Sequence, residues 1–188
     1  MDVPISHVIG SVALMLLTIS VASYFIITYS RVQSDILRQQ LREVGEYVQT
    51  NLMEIIALVD FKNFLDQYAT FKILDLPPDL SGYAYAVELT RDSENSPIIN
   101  LYLISRRDVS VSLKIPLNTI ESNVIIYTAN DPWVPLSSRG GVIKSSGKIY
   151  SGIRSSGEKV VVWGWVEGKL EESGTNLIWA GIGVWEAE

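Results

Sequence analysis

Between Val3 and Ser30 the chain runs for 28 residues without a charged side chain. A segment like this cannot rest in water alone. It must be covered by lipid, by other helices or by its own core. Inside it, the 22 residues Val8 to Tyr29 are broken only by Gly10 and the hydroxyl residues Ser11, Thr18, Ser20, Ser23 and Thr28. As a helix they extend about 33 Å, against about 30 Å for the hydrocarbon core of a bilayer. The hydroxyls are compatible with that setting, because each can donate to a carbonyl one turn back. A cleaved secretory signal fits less well. Met1-Asp2-Val3-Pro4 has no Lys or Arg, and the apolar run is longer than a signal's apolar region. A core helix of a soluble protein is the remaining alternative. The run predicts a transmembrane or filament-core helix over residues 1–30.

The helical pattern continues beyond the first charge. From Arg31 to Tyr68 there is no Pro, and Gly45 is the one glycine. Leu37, Leu41, Val44, Val48, Leu52, Ile55 and Val59 recur at steps of three and four, averaging near 3.67 residues. That period belongs to a nearly straight helix rather than to a sustained heptad. Arg38, Arg42, Glu43, Glu46 and Glu54 fall off the stripe. Residues 31–70 are therefore expected to continue the helix in amphipathic form. Phe61, Phe64, Leu65 and Tyr68 either extend it or open a short second helix. The stripe needs a cover, which is either the chain's own C-terminal domain or a neighbouring subunit.

Composition changes near residue 75. Eleven of 13 Gly, six of seven Pro and all five Trp lie beyond it. Pro77-Pro78 stops any helix. Runs with strand character follow at Tyr83–Leu89, Ile98–Ile104, Val109–Ile115, Val124–Thr128, Val142–Ile153, Lys159–Val166 and Leu177–Trp185. Turn-forming residues separate them, and Val109–Ile115 alternates strictly. The fold class expected is α+β: a long N-terminal transmembrane and amphipathic helix, then an antiparallel β-sandwich-like head over 71–188. Trp163 and Trp165 share one strand face. Trp179 and Trp185 share another, with Gly181 and Gly183 between them. Such rings are read as packing over bare sheet backbone, with an aromatic platform for a sugar as the alternative.

Few residues suggest chemistry. Fifteen Lys and Arg against 21 Asp and Glu give a net charge of −6, which speaks against nucleic acid as a partner. Without Cys there is neither a disulfide framework nor a thiolate, and one histidine, His7, cannot build a His-rich metal site. Gly141 to Lys148 has the wrong glycine spacing for a phosphate loop, and Ile149 stands where Ser or Thr should bind the metal. Ser145 and Lys148 match Ser-x-x-Lys, the spacing of certain hydrolases, but within a turn rather than on a helix. Lys144, Lys148, Arg154 and Lys159 read as a solvated face, and Glu171-Glu172 as a charged hairpin tip. The expectation is a protein that is not an enzyme and has no catalytic residues, cofactor or metal.

Ile5-Ser6-His7-Val8-Ile9-Gly10-Ser11-Val12-Ala13-Leu14 resembles the start of archaeal type IV pilin-like proteins, where Ser-Pro-Val-Ile-Gly/Ala leads into an apolar run. His7 stands where that family has Pro, and Ile9 where a basic residue precedes the cut. Leu76-Pro77-Pro78, Leu80-Ser81-Gly82-Tyr83 and Tyr85 are similar to a stretch in the heads of the same proteins. The order of elements agrees over the whole chain. The resemblance implies a structural or assembly subunit, major or minor, of a pilus-like surface filament or related secretion apparatus. Its partners would be copies of itself or homologous subunits, membrane lipid and an assembly platform with its ATPase.

On this reading Gly10, Ser11, Ala13, Leu14, Leu16, Leu17, Val21, Ala22 and Phe25 pack helix on helix. Leu37, Leu41, Val44, Val48, Leu52, Ile55 and Val59 anchor the head. Gly10-Ser11 is the candidate peptidase cleavage point. The location implied is a single-pass membrane protein with an external head, or an extracellular filament. Arg31, Arg38 and Arg42 follow the span, and the positive-inside rule would place them in the cytoplasm. The alternative function is a non-polymerising single-span protein whose β head binds a surface-layer or stator partner.

Overall fold

The computed structural model of the chain describes residues 5–62, 69–117, 123–132, 134–138, 140–152, 158–169 and 176–187. The expectations for Phe64, Leu65, Tyr68, Arg154 and Glu171-Glu172 lie outside these, as does the side chain of His7. Two units are distinguished, Met1–Leu37 and Arg38–Glu188.

Helix α1 spans Ile5–Lys62, 58 residues. No proline interrupts it, and several of its hydroxyls hydrogen-bond within the helix. Ser11 Oγ donates to the Val8 carbonyl at 2.9 Å, Thr18 Oγ1 to Leu14 at 2.9 Å, and Ser20 Oγ to Leu16 at 2.9 Å. Among the described residues the helix runs to Lys62, and a strand starts at Thr70. The expected helix over 31–70 is thus described as far as Lys62, and its last residue, Thr70, already belongs to that strand.

Among the described residues, the second unit holds the last turns of α1 and ten strands in two sheets. Strands β1 (Thr70–Ile73), β9 (Lys159–Lys169), β10 (Asn176–Ala187), β7 (Gly141–Ser145) and β6 (Val134–Ser138) pair in that order. Strand β5 (Asn123–Ile126) joins β10 beside its first half. Strands β4 (Ser110–Lys114), β3 (Pro97–Leu103), β2 (Tyr85–Arg91) and β8 (Lys148–Tyr150) form the second sheet. Pairing is antiparallel except for β5 on β10, which is parallel. The long β10 thus serves two partners along one edge: β5 opposite Leu177–Ala180, and β7 opposite Gly183–Ala187.

The run Val142–Ile153 divides between the sheets, β7 in one and β8 in the other. Gly147 makes the turn. Its φ is +59°, and a Cβ there would collide with the Thr128 carbonyl carbon. Its carbonyl accepts from Leu89 N at 2.7 Å, and the Leu89 carbonyl accepts from Ala129 N at 2.9 Å. These bonds tie the turn to β2. The segment after Pro77-Pro78 is fixed by a two-residue turn at Ser81 (φ +52°) and Gly82 (φ +83°), with Leu80 and Tyr83 exchanging backbone bonds. Tyr85 Oη donates to the Pro77 carbonyl at 2.7 Å.

The helix of this unit packs against both sheets. A Cβ on Gly45 would lie 2.6 Å from Leu113 Cδ1 and 2.7 Å from Leu101 Cδ1, on β4 and β3. A Cβ on Gly164 of β9 would lie 2.9 Å from Ile55 Cγ2 and 3.0 Å from Val59 Cγ2. Two glycines, one on the helix and one on a strand, thereby set how closely the helix and the sheets approach. Val160, Val162, Ile178, Ala180 and Ile182 share the face of β9 and β10 that carries Gly164, and all are buried. The opposite face carries a second core of Tyr127, Ile143, Val161 and Trp163 with Phe71, Trp165, Trp179 and Trp185 around it.

Candidate functional site

The residues that most need a partner lie in the first unit. From Val8 to Val32 every side chain of α1 is exposed. Among the proposed packing positions, Leu14, Leu16, Leu17 and Phe25 are 61% to 70% exposed, and nothing approaches within 4 Å of a Cβ on Gly10. Ser11, Ala13, Val21 and Ala22 are exposed as well. Soluble proteins rarely leave a continuous apolar surface of this size open, and such surfaces mark membrane or protein contacts. By length and composition, this helix can cross a membrane.

The amphipathic positions are placed differently. Leu41, Val44, Val48, Leu52, Ile55 and Val59 are buried in the second unit, and Leu37 closes the first. Gly45, Asn51 and Ile56 are buried beside them. They are absent from a stripe drawn through one residue per turn, yet Ile56 follows Leu52 by four and its signal is in the sequence. Asn51 is a polar residue on an apolar stripe. Its Nδ2 donates to the Tyr47 carbonyl at 2.6 Å, so it enters the core with its amide donor bonded.

Ser145 ends β7 and Lys148 begins β8. Lys148 is occupied elsewhere. Its Nζ lies 3.1 Å from Glu88 Oε2 and 5.5 Å from the ring centroids of Tyr102 and Tyr150. The Tyr102 hydroxyl first, and then the Glu88 carboxylate, push its pKa above the ordinary lysine value, although burial opposes them. A lysine acting as a base beside a serine has to be neutral, and these neighbours favour its charged form. Lys148 instead joins β8 to β2 and β3. Gly141–Ser145 is a strand, so no phosphate-binding loop is formed there. Lys144 pairs with Glu186 across β7 and β10. The basic residues Lys144 and Lys148 are thus sheet ties.

Compared with protein families, with curated proteins and with solved structures, the chain finds no match. The functional reading rests on the residues and their geometry.

Proposed function

We propose that this chain is a pilin-like structural or assembly subunit, held in the membrane or in a filament core by the N-terminal part of α1. One observation carries the reading. Val8 to Tyr29 form an apolar helix exposed around its whole circumference, in a chain whose next helical turns bury their apolar stripe in a β head. A segment apolar on all sides suits lipid and sister helices equally, and a subunit that moves from bilayer to helical bundle needs both. Gly10, Ser11, Ala13 and Ala22 offer the small side chains that allow close helix approach. In this reading the head faces the outside and Arg31 marks the boundary of the apolar segment.

The test begins with native full-length protein taken from membranes or sheared surface filaments. It should require detergent or sedimentation with filaments, and electron microscopy with a labelled antibody should find the head along a fibre. Recovery as a soluble monomer without detergent overturns the proposal. A protein confined to membranes as a single detergent-bound particle, never on a fibre, favours the non-polymerising surface-binding reading. N-terminal sequencing adds a second check. A start at Ser11 is the product expected of a prepilin-type peptidase.

A further inference from the structure

The aromatic face of the six-stranded sheet is not closed. A cleft of about 310 Å³ opens on it, lined by Tyr127, Asp131, Ser145, Trp163, Trp165 and Trp179 among others. Trp165 and Trp179 stand opposite each other on β9 and β10, both half-buried. Trp163 lies two residues from Trp165 on the same face of β9. Its ring covers Gly181, where a Cβ would come within 2.8 Å of Trp163 Cζ2. The glycine therefore sets how deep that ring sits, and the three indoles share one side of the sheet.

The polar atoms of this face are as informative as the rings. Among the described residues, Tyr127 Oη, Ser145 Oγ and Trp163 Nε1 are buried side-chain atoms without a hydrogen-bond partner. All three residues line the same cleft. Native folds rarely leave buried polar groups unpaired, and these three, shut from solvent beside one cleft, point to a ligand that pairs with them as the lining side chains shift to admit it. The set offers an obligate donor in the indole N–H and two hydroxyls that can donate or accept. Asp131 contributes a carboxylate whose Oδ2 accepts from Thr128 N at 2.6 Å and Thr128 Oγ1 at 3.0 Å. Among the described residues, no Lys or Arg lines the cleft.

These features narrow the class of ligand. An anion would face the Asp131 carboxylate with no cation from the described residues to offset it. A quaternary ammonium would suit the ring faces, but it has no group with which to pair the indole N–H or the hydroxyls. A neutral pyranose satisfies both demands, with flat C–H faces for Trp165 and Trp179 and hydroxyls for the three unpaired atoms. The volume is at the low end for ligand sites and suits one sugar ring rather than a long chain. We infer that this cleft is a binding site for a neutral hexopyranose unit, free or as the exposed residue of a surface glycan. The inference concerns the head alone and stands whether or not the helix builds a filament.

The test uses full-length protein in detergent. Intrinsic tryptophan fluorescence and saturation-transfer NMR would be recorded against the methyl glycosides of glucose, mannose, galactose and N-acetylglucosamine, with choline and phosphate as competitors. At least one glycoside should give saturable quenching and transfer to its ring protons. Trp179→Ala should abolish it. Ser145→Ala should weaken it by about threefold to tenfold, while leaving thermal stability equal or higher, because the hydroxyl removed has no partner in the unliganded fold. A purely structural role for Ser145 would not move affinity and stability in opposite directions. If Trp179→Ala misfolds, Ser145→Ala and Trp163→Phe, which removes the N–H and keeps an aromatic ring, carry the test. Failure of all four glycosides to saturate overturns the inference, as does choline or phosphate binding in their place, or unchanged sugar affinity in Ser145→Ala and Trp163→Phe.

Discussion

Two stretches of the same helix obey opposite rules. Between Val8 and Tyr29, α1 is apolar on every face and every side chain is exposed. Between Leu41 and Val59 it is apolar on one stripe, and that stripe is buried against β3, β4 and β9 through Gly45 and Gly164. Backbone geometry is the same in both, so hydrogen bonding does not distinguish them. What distinguishes them is the arrangement of charge. Arg38, Arg42, Glu43, Glu46 and Glu54 leave the second stretch only one way to face, and the first has no such residues to orient it. An amphipathic helix specifies a fold of its own chain, whereas a helix apolar all round specifies only an environment.

That contrast is most sharply broken by matched leucine truncations. Leu52→Ala in the buried stripe should destabilise the head by about 2–5 kcal/mol, read as a lower midpoint in denaturant. Leu16→Ala should leave the same midpoint unchanged within about 0.5 kcal/mol. Equal effects at both sites would mean that the first stretch also packs within its own chain. A charge reverses the sensitivity. Leu16→Asp should cost about 2.5–3.5 kcal/mol of insertion free energy and release the chain from membranes or filaments, with the head's circular dichroism and melting retained. Ala13→Asp should act in the same direction.

A smaller effect probes the glycine contact. Gly164→Val would push against the Ile55 and Val59 methyls, 2.9 Å and 3.0 Å from a Cβ. It should cost about 1–3 kcal/mol of head stability and leave membrane association intact. The smallest effect concerns pH. The Asp92 carboxylate is held below the usual range, first by the Ser96 N–H, then by Glu94 N–H and Lys114, against an opposing burial effect. Ser96 N and Glu94 N both donate to Oδ1 at 2.9 Å. Because the folded value is lowered, this contribution is present above about pH 4, the unfolded carboxylate range, and is lost as pH falls through the folded value. Amide exchange at Ser96 should quicken there, and Asp92→Asn should remove that pH step. Exchange at Leu14 and Leu16 should not follow it.

The α+β arrangement was legible because its signals are long. Twenty-two apolar residues, six consecutive steps of three or four, and a double proline leave little freedom, and α1 with its β head follows from them. The strands that escaped notice are β1 and β6, four and five residues long, at the two ends of the six-stranded order. Thr70 to Ile73 alternates, but over four residues only, and β6 carries Pro135, as an edge permits. The Ser-x-x-Lys spacing was visible, but the occupation of Lys148 by Glu88 and Tyr102 depends on a neighbouring strand. The aromatic rows at Trp163, Trp165 and Trp179 were also visible in the sequence. That they leave a cleft, and that Tyr127 and Ser145 reach it from distant segments, was not.

The sequence by itself therefore determined where the chain meets water, because hydropathy period is a local property that each residue carries with it. It also settled that one helix continues through the change from fully apolar to amphipathic, because nothing between Ile5 and Lys62 breaks the backbone pattern. Only the tertiary structure decided how the strands divide. The run Val142–Ile153 splits between two sheets because Gly147, at positive φ, fits against the backbone of Thr128 where a side chain could not. The parallel pairing of β5, the approach distances at Gly45 and Gly164, and the convergence of Tyr127, Ser145 and Trp163 likewise arise from contacts between residues far apart in the chain. Such contacts form only once the sheets have closed, and a local pattern does not encode them.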